Sequence, residues 1–183
     1  MPNRYGEKIR NIIIIALMSV VLYGVQVAFA FLPNIELVSL LIIIFSLVFG
    51  YKVFFIISIF VIIEGLTYGF GTWWIAYTYV WPILAIFVLI FRRFQSAYLW
   101  AFVSGVFGLL FGFLCSLTFL FLGGPQMVFT YWISGIMFDV MHSISNFIIA
   151  LVLFKPIKSL LVKLYKPLAI NSGTPRVSDG SVK

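Results

Sequence analysis

The sequence predicts an all-α membrane protein in which six transmembrane helices cross the bilayer and both the N- and C-termini are cytoplasmic. Of the 183 residues, 63% are hydrophobic and only 9% are charged, whereas soluble domains are about half apolar and a quarter charged. The same composition excludes a disordered chain, which requires low hydrophobicity and high charge. A span needs about 20 apolar residues, so the length allows about five to seven spans. The placement of basic residues selects six.

The first three spans are predicted at 11–31, 35–50 and 53–68. Span 1 is a long apolar run that ends at Pro33, and span 2 is short. Lys52 alone marks the turn between spans 2 and 3, because a charged residue is costly in the hydrocarbon. Span 3 ends at the glycines Gly69 and Gly71, which favour a turn.

Spans 4, 5 and 6 are predicted at 74–91, 99–122 and 129–154. Span 4 contains Pro82, and span 5 stops at Gly124 and Pro125. Span 6 is expected to end before Pro156, since proline interrupts a helix.

These boundaries define three segments. Residues 1–155 are predicted to form a six-helix transmembrane domain. Lysines alternate with leucines over 156–170, which predicts an amphipathic segment on the cytoplasmic membrane surface. Residues 171–183 are rich in Ser, Gly, Thr and Pro and are predicted to be disordered.

The basic residues predict the orientation. All 12 lie in the two tails or in the turns between spans 2 and 3 and between spans 4 and 5, and none lies in the other three loops. With both tails inside, this arrangement satisfies the positive-inside rule. The net charge of +7 is therefore typical of a multi-pass membrane protein, and it does not indicate nucleic-acid binding.

Polar residues within the spans are the first candidate site. Asp139 is placed near the middle of span 6, with His142, Ser143 and Asn146 on the same helix face, and Glu64 lies near the outer end of span 3. A central Asp costs about 2.5–3.5 kcal/mol, so it must face protein or water. Two readings stay open: these groups hold the helices together, or they bind a ligand.

Aromatic residues form a second constellation at the predicted outer ends of the spans. They include Trp73, Trp74, Tyr77 and Trp81 on span 4 and Tyr131 and Trp132 on span 6. An interfacial aromatic belt would explain some of them. The spacing of Trp74, Tyr77, Thr78 and Trp81, however, predicts one aromatic face that reaches inward, which is typical of a small-molecule pocket.

The charged residues in the outward half of the spans narrow the chemical class of the predicted ligand. The outward half carries Glu36, Glu64 and Asp139 and no Lys or Arg, whereas carboxylates and phosphates usually recruit those residues. A neutral or cationic aromatic ligand is favoured, because rings stack on Trp and Tyr and cations are drawn to their faces.

The sequence does not predict an enzyme. It lacks the GxSxG and HExxH motifs and has one cysteine, Cys115, so neither a known nucleophile motif nor a metal site of the protein is expected. Two alternatives remain. The chain could be an autonomous ion-coupled transporter that uses Glu64 and Asp139, or a membrane-embedded enzyme that uses Asp139 and His142.

Small residues recur every four positions in two spans. Ser104, Gly108 and Gly112 follow this spacing in span 5, and Gly24 and Ala28 follow it in span 1. Such spacing predicts close approach of helix backbones.

The sequence combines six short spans and basic ends on the inside with the segments 32–36 (Leu-Pro-Asn-Ile-Glu) and 71–74 (Gly-Thr-Trp-Trp). Together these features resemble the substrate-binding S component of an energy-coupling factor (ECF) vitamin transporter. The resemblance implies that the chain binds a vitamin or related small nitrogen heterocycle near its outer face. It also implies partners, namely a transmembrane coupling subunit and two ABC ATPases that use ATP. Accordingly, the chain itself has no phosphate-binding GxxxxGK[ST] loop and is expected to need no cofactor.

The resemblance also implies roles for particular residues. The loop between spans 1 and 2, with Pro33, Asn34 and Glu36, would close the site. The pair of alanines that contacts the coupling subunit in many members corresponds to Ala16 and Val20, and Ser19 could substitute for the missing alanine. The implied substrate contacts are Trp73, Trp74, Tyr77, Trp132, Asp139, His142 and Asn146.

Overall fold

The structure, a computed structural model, describes residues 4–170 and the side chains of residues 5–165. This part of the chain contains six α-helices and no strand, so the predicted all-α class is confirmed. The helices are α1 (Arg4–Phe29), α2 (Val38–Phe49), α3 (Val53–Tyr68), α4 (Thr72–Ile90), α5 (Ala97–Ser116) and α6 (Leu120–Ile170). The predicted disordered tail, 171–183, lies outside the described residues.

Four helical stretches are long and apolar enough to cross a membrane, which is compatible with a membrane protein. They are Tyr5–Phe29, Val38–Tyr68, Thr72–Ile90 and Ala97–Tyr165. Two of them contain a break. Gly50–Lys52 forms a 3-10 turn between α2 and α3, and Gly124 has a φ of 71° within α6, a conformation that glycine adopts without steric cost.

Contacts between helices show their relative directions. Ser19 of α1 bonds the carbonyl of Ile56, and Tyr23, further along α1, bonds Thr67, further along α3. Helices α1 and α3 therefore run in the same direction. Helices α5 and α6 run in opposite directions, since Gly105 lies beside Phe147 while Gly112 lies beside Asp139.

Helix α2 is the centre of the core. Apart from the buried Ser39 and Ser46 it is apolar, and residues such as Leu40, Ile42 and Ile44 are at most 1% exposed. A helix without a polar face is stable when it is surrounded by other helices, and α2 packs against both α4 and α6. In contrast, α1 exposes a long apolar face.

The small residues of α5 bring this helix close to α6. A Cβ atom built on Gly108 would lie 2.9 Å from the carbonyl carbon of His142 and 3.0 Å from the amide nitrogen of Ser143. The predicted close approach is confirmed for α5. On α1, Gly24 and Ala28 are both exposed, and a Cβ built on Gly24 has no described atom within 4 Å, so neither residue brings α1 close to another helix in the described part of the chain.

Helix α6 does not end before Pro156, as the sequence predicted, but continues to Ile170. The 46 residues after Gly124 form a helix roughly 70 Å long, more than twice the thickness of the hydrocarbon core. Proline removes one backbone donor, yet helices tolerate this where water or a side chain can satisfy the freed carbonyl. The predicted amphipathic segment is thus continuous with the last apolar helix.

The basic segments meet at one end of the helices. Lys52 Nζ donates to Asn11 Oδ1 over 2.7 Å and to the Tyr165 hydroxyl over 3.3 Å. Lys158 of α6 bonds Gln95, in the turn between α4 and α5. The α2–α3 turn and the α4–α5 turn therefore both lie beside the C-terminal part of α6, and the α2–α3 turn also contacts the start of α1.

Candidate ligand cavity

A cavity of about 550 Å³ lies at one end of the helices, beside the loop that joins α1 to α2. Its walls come from α1, this loop, α4, α5 and α6. Seven of the predicted substrate-binding residues line it: Asn34, Glu36, Tyr77, Trp81, Tyr131, Asp139 and His142. None of the described residues that line the cavity is a lysine or an arginine.

One wall of the cavity is a continuous series of aromatic rings. Tyr77 and Trp81 of α4 are in edge contact, with ring centroids 5.3 Å apart. Trp81 contacts Phe111 of α5 over 5.4 Å, and Phe111 contacts the His142 ring of α6 over 5.0 Å. The rings pack against one another across three helices, so this wall is preformed and suited to stacking a flat ligand.

Asp139 is fixed at one oxygen and free at the other. Its Oδ1 accepts a hydrogen bond of 2.9 Å from the backbone N–H of Gly112. Its Oδ2 has no hydrogen-bond partner among the described residues, although Asp139 is only 4% exposed. A buried polar atom without a partner is costly, and Asp139 lines the cavity. The free oxygen can therefore bond a ligand.

The α1–α2 loop is fastened to α6 at Glu36. Glu36 Oε1 lies 3.2 Å from His142 Nε2, and Oε2 accepts 2.8 Å from the backbone N–H of Ser39. Burial acts to raise the pKa of Glu36, but the bonds from His142 and Ser39 outweigh it, so the pKa lies below its ordinary value of 4.5.

Two further bonds hold this region. Ser145 donates to the backbone carbonyl of Asn34, and Asn146 Nδ2 donates to Ser39 Oγ over 3.3 Å. Asn34 has a φ of 61°, a left-handed conformation that asparagine tolerates better than most residues. The polar face predicted on α6 therefore holds the loop and the start of α2, as well as lining the cavity.

The lowered pKa of Glu36 predicts a pH dependence. A carboxyl group of this kind adds stability that is fully present above its unfolded-state pKa and is lost as the pH falls through its folded-state pKa. We expect the wild-type chain to lose the stability due to Glu36 below pH 4.5. The thermal unfolding midpoints of wild type and Glu36→Gln, measured in detergent, should differ at pH 7 and converge in this acidic range. A difference that stays constant over the whole range would contradict the assignment.

A smaller cavity of about 220 Å³ adjoins the first. It is lined by Glu64, Tyr68 and Trp73, together with residues that also line the larger cavity, among them Gln26 and Tyr77. Two more predicted site residues, Glu64 and Trp73, therefore lie beside the main cavity and not in it.

Three predicted site residues line neither cavity. Trp74 donates from Nε1 to the carbonyl of Val61 on α3 over 2.8 Å, and Trp132 packs against Phe113. Asn146 bonds Ser39, as described above. Among the described contacts, these three residues therefore join helices to one another.

The aromatic face of α4 is rotated from its predicted position. The sequence placed Trp74 and Thr78 on the inward face, but Thr78 is exposed and its hydroxyl donates to the carbonyl of Ile75 on the same helix. The residues that line the cavities are Trp73, Tyr77 and Trp81, each four positions apart. The prediction failed because the packing of Trp74 against α3 could not be read from spacing within α4.

Sequence reasoning missed several lining residues: Gln26, Phe29, Phe111, Gly112, Cys115, Ser134, Gly135 and Phe138. Gln26 could have been found, since it is a carboxamide in an otherwise apolar span. Gly135 precedes Asp139 by four positions, about one turn, and therefore shares its side of α6. Nothing in the sequence distinguishes Phe111 and Phe138 from the many other phenylalanines.

Of the three residues predicted to contact the coupling subunit, two are exposed and one is buried. Ala16 and Val20 are exposed on the apolar face of α1. Ser19 is fully buried, and its hydroxyl bonds the carbonyls of Ile15 and Ile56. The Ser19 side chain therefore faces α3 and does not lie on the exposed face of α1 with Ala16 and Val20.

Comparison with known proteins gives no family assignment: the chain matches no family model, no curated protein and no solved structure. Within residues 5–165, no group of three or more His, Cys, Asp or Glu side chains could hold a metal ion.

Proposed function

We propose that this chain is a multi-pass protein of the bacterial plasma membrane that binds a small nitrogen heterocycle in the 550 Å³ cavity. It would serve as the substrate-binding subunit of an ECF-type importer for a vitamin or related compound. The observation that carries the proposal is the cavity itself, which combines an aromatic wall, the free oxygen of Asp139 and no lining lysine or arginine among the described residues.

Six crossings fit the helix directions. Helices α1 and α3 are parallel, α5 and α6 are antiparallel, and Lys52 lies near both Asn11 and Tyr165. Helix α2, at roughly 18 Å, is short for a crossing, but it is enclosed by other helices. Both termini would be cytoplasmic under the positive-inside rule, and the cavity would open to the outside.

The size and chemistry of the cavity favour a small flat ligand. Small-molecule sites usually measure about 300–1,000 Å³, and the volume here falls within that range. A ring would stack on Tyr77 and Trp81, and its nitrogen atoms would bond Asp139 or His142. Pyridoxine-like, aminopyrimidine, benzimidazole and deazaguanine compounds meet these conditions.

The transport role rests on the resemblance to ECF S components. A coupling subunit would pack on the exposed face of α1 around Ala16 and Val20, and two ABC ATPases would supply the energy. The chain would be neither an enzyme nor dependent on a cofactor.

Filling the cavity should weaken ligand binding without unfolding the chain. A Cβ atom on Gly135 meets nothing within 4 Å, and Gly135 lines the cavity, so Gly135→Leu would occupy ligand space. We expect at least about tenfold weaker binding of a probe that the wild type binds, with an unchanged unfolding temperature. Trp fluorescence titrations with pyridoxine, 4-amino-5-hydroxymethyl-2-methylpyrimidine and benzimidazole would supply the probe.

Gly24→Leu is the matched control, because Gly24 also faces open space but lies outside the cavity. Equal binding by the Gly135→Leu and Gly24→Leu variants would place the ligand elsewhere. Uptake of the bound probe should require co-expression of the coupling subunit and the ATPases. Uptake by the chain alone, driven by a pH gradient, would instead support an ion-coupled transporter, and turnover of the compound would support an enzyme.

A further inference from the structure

The smaller cavity has the composition of a site for a cation. It measures about 220 Å³ and is lined by one carboxyl group, three aromatic side chains, Gln26 and Ala30. Because Gln26, Ala30 and Tyr77 also line the larger cavity, the two spaces lie side by side. A single ligand could extend from one into the other.

Glu64 is the acidic side chain in this cavity. It is 2% exposed, and within the described part of the chain its Oε1 has no hydrogen-bond partner. The other two acids of this region are better satisfied: Glu36 pairs with His142 and Ser39, and Asp139 accepts from Gly112. A carboxyl oxygen that is buried in a membrane protein without a hydrogen-bond partner is costly and commonly functional.

The aromatic side chains of this cavity suit a positive charge. The Trp73 and Tyr77 rings meet at 88°, with centroids 5.4 Å apart, and so form a corner. Tyr68, which is 55% exposed, stands at the rim. Ring faces attract ammonium groups electrostatically. Glu64 also lies near the C-terminal end of α3, where the helix dipole favours a cation.

We propose that the smaller cavity is a cation subsite, in which Glu64 and the rings of Trp73 and Tyr77 hold a positively charged nitrogen of the substrate. The aromatic ring of the same substrate lies in the larger cavity, so this assignment rests on the proposed binding function. It narrows the substrate class to heterocycles that carry an ammonium or another cationic nitrogen.

A matched pair of probes tests the subsite. 3-(Aminomethyl)pyridine carries an ammonium group at neutral pH, and 3-(hydroxymethyl)pyridine is its neutral counterpart. We expect the wild-type chain in nanodiscs to bind the amine about tenfold more tightly than the alcohol, measured by calorimetry. In Glu64→Gln, which keeps the shape and removes the charge, this preference should fall to within about twofold.

Two further variants keep the test informative. Glu7→Gln removes one acidic group in the first turn of α1, at the opposite end of that helix from Gln26, and should retain the preference. Trp73→Leu should weaken amine binding several-fold while Glu64 stays in place, since a cation–π contact is worth less than a charge pair.

Several results would overturn the subsite. They are equal affinity of the wild type for both probes, no saturable binding of the amine, or a preference that survives in Glu64→Gln. If the preference for the amine is lost in Asp139→Asn but kept in Glu64→Gln, the cation lies in the larger cavity. That result would also refute the assignment of the smaller cavity as the cation subsite. A Glu64-dependent preference in a chain that binds no larger heterocycle would leave the subsite standing and remove the proposed function.

Discussion

Asp139→Asn is expected to weaken binding of the heterocyclic substrate by at least about tenfold. The asparagine side chain can still accept the hydrogen bond from Gly112 N–H, so the variant removes the charge and leaves the packing in place. A hydrogen bond to a charged group contributes about 1.5–3 kcal/mol, and 1.4 kcal/mol corresponds to a factor of ten. Trp fluorescence titration with the probe that binds the wild type would measure the loss.

Asp139→Ala separates a binding role from a structural one. This variant removes the hydrogen bond that joins Asp139 of α6 to the Gly112 N–H of α5 and should lower the free energy of unfolding by about 1–3 kcal/mol. Asp139→Asn should not. If Asp139→Asn binds the probe as tightly as the wild type while remaining folded, the residue only joins α5 to α6.

Gly108→Ala is expected to destabilise the chain by about 1–3 kcal/mol or more. The added Cβ would lie 2.9 Å from both the carbonyl carbon and the carbonyl oxygen of His142. These are backbone atoms of a long helix, so they cannot rotate away as a side chain would. Separation of α5 and α6 would also displace His142 from the aromatic wall, and probe binding should weaken in parallel. Thermal unfolding in detergent would measure the effect.

Gly24→Ala provides the matched control for this experiment. It makes the same chemical change inside a helix, at a position with no atom within 4 Å. Alanine favours helix more than glycine by about 0.5–1 kcal/mol, so this variant should be neutral or slightly stabilising. Equal losses of stability at Gly24 and Gly108 would show that α5 and α6 are not held together as described.

Much of the fold follows from local features of the sequence. The turns at Lys52 and Gly124 were predicted because a charge or glycine interrupts an apolar run. The full length of α6 was not predicted. A proline in the sequence indicates only that one backbone donor is lost, and whether the helix continues past Pro156 depends on what satisfies the freed carbonyl. The central position of α2 depends on packing with helices that are distant in the sequence.

The candidate site was predictable where a residue is costly in a membrane. Asp139, Glu64 and His142 were identified on that basis, and each lines one of the two cavities. The pairing of His142 with Glu36, 106 positions away in the sequence, could not be inferred, since no local pattern connects them. The rotation of α4 was missed for a similar reason: Trp74 is turned toward Val61 by a contact between helices.

Native mass spectrometry of the detergent-purified chain, after incubation with a mixture of small nitrogen heterocycles, tests the central claim most directly. The account predicts that one neutral or cationic heterocycle remains bound at a ratio of one per wild-type chain, and that Gly135→Leu releases it. Retention of only lipid or anionic compounds, or equal retention of the heterocycle by Gly135→Leu, would contradict it.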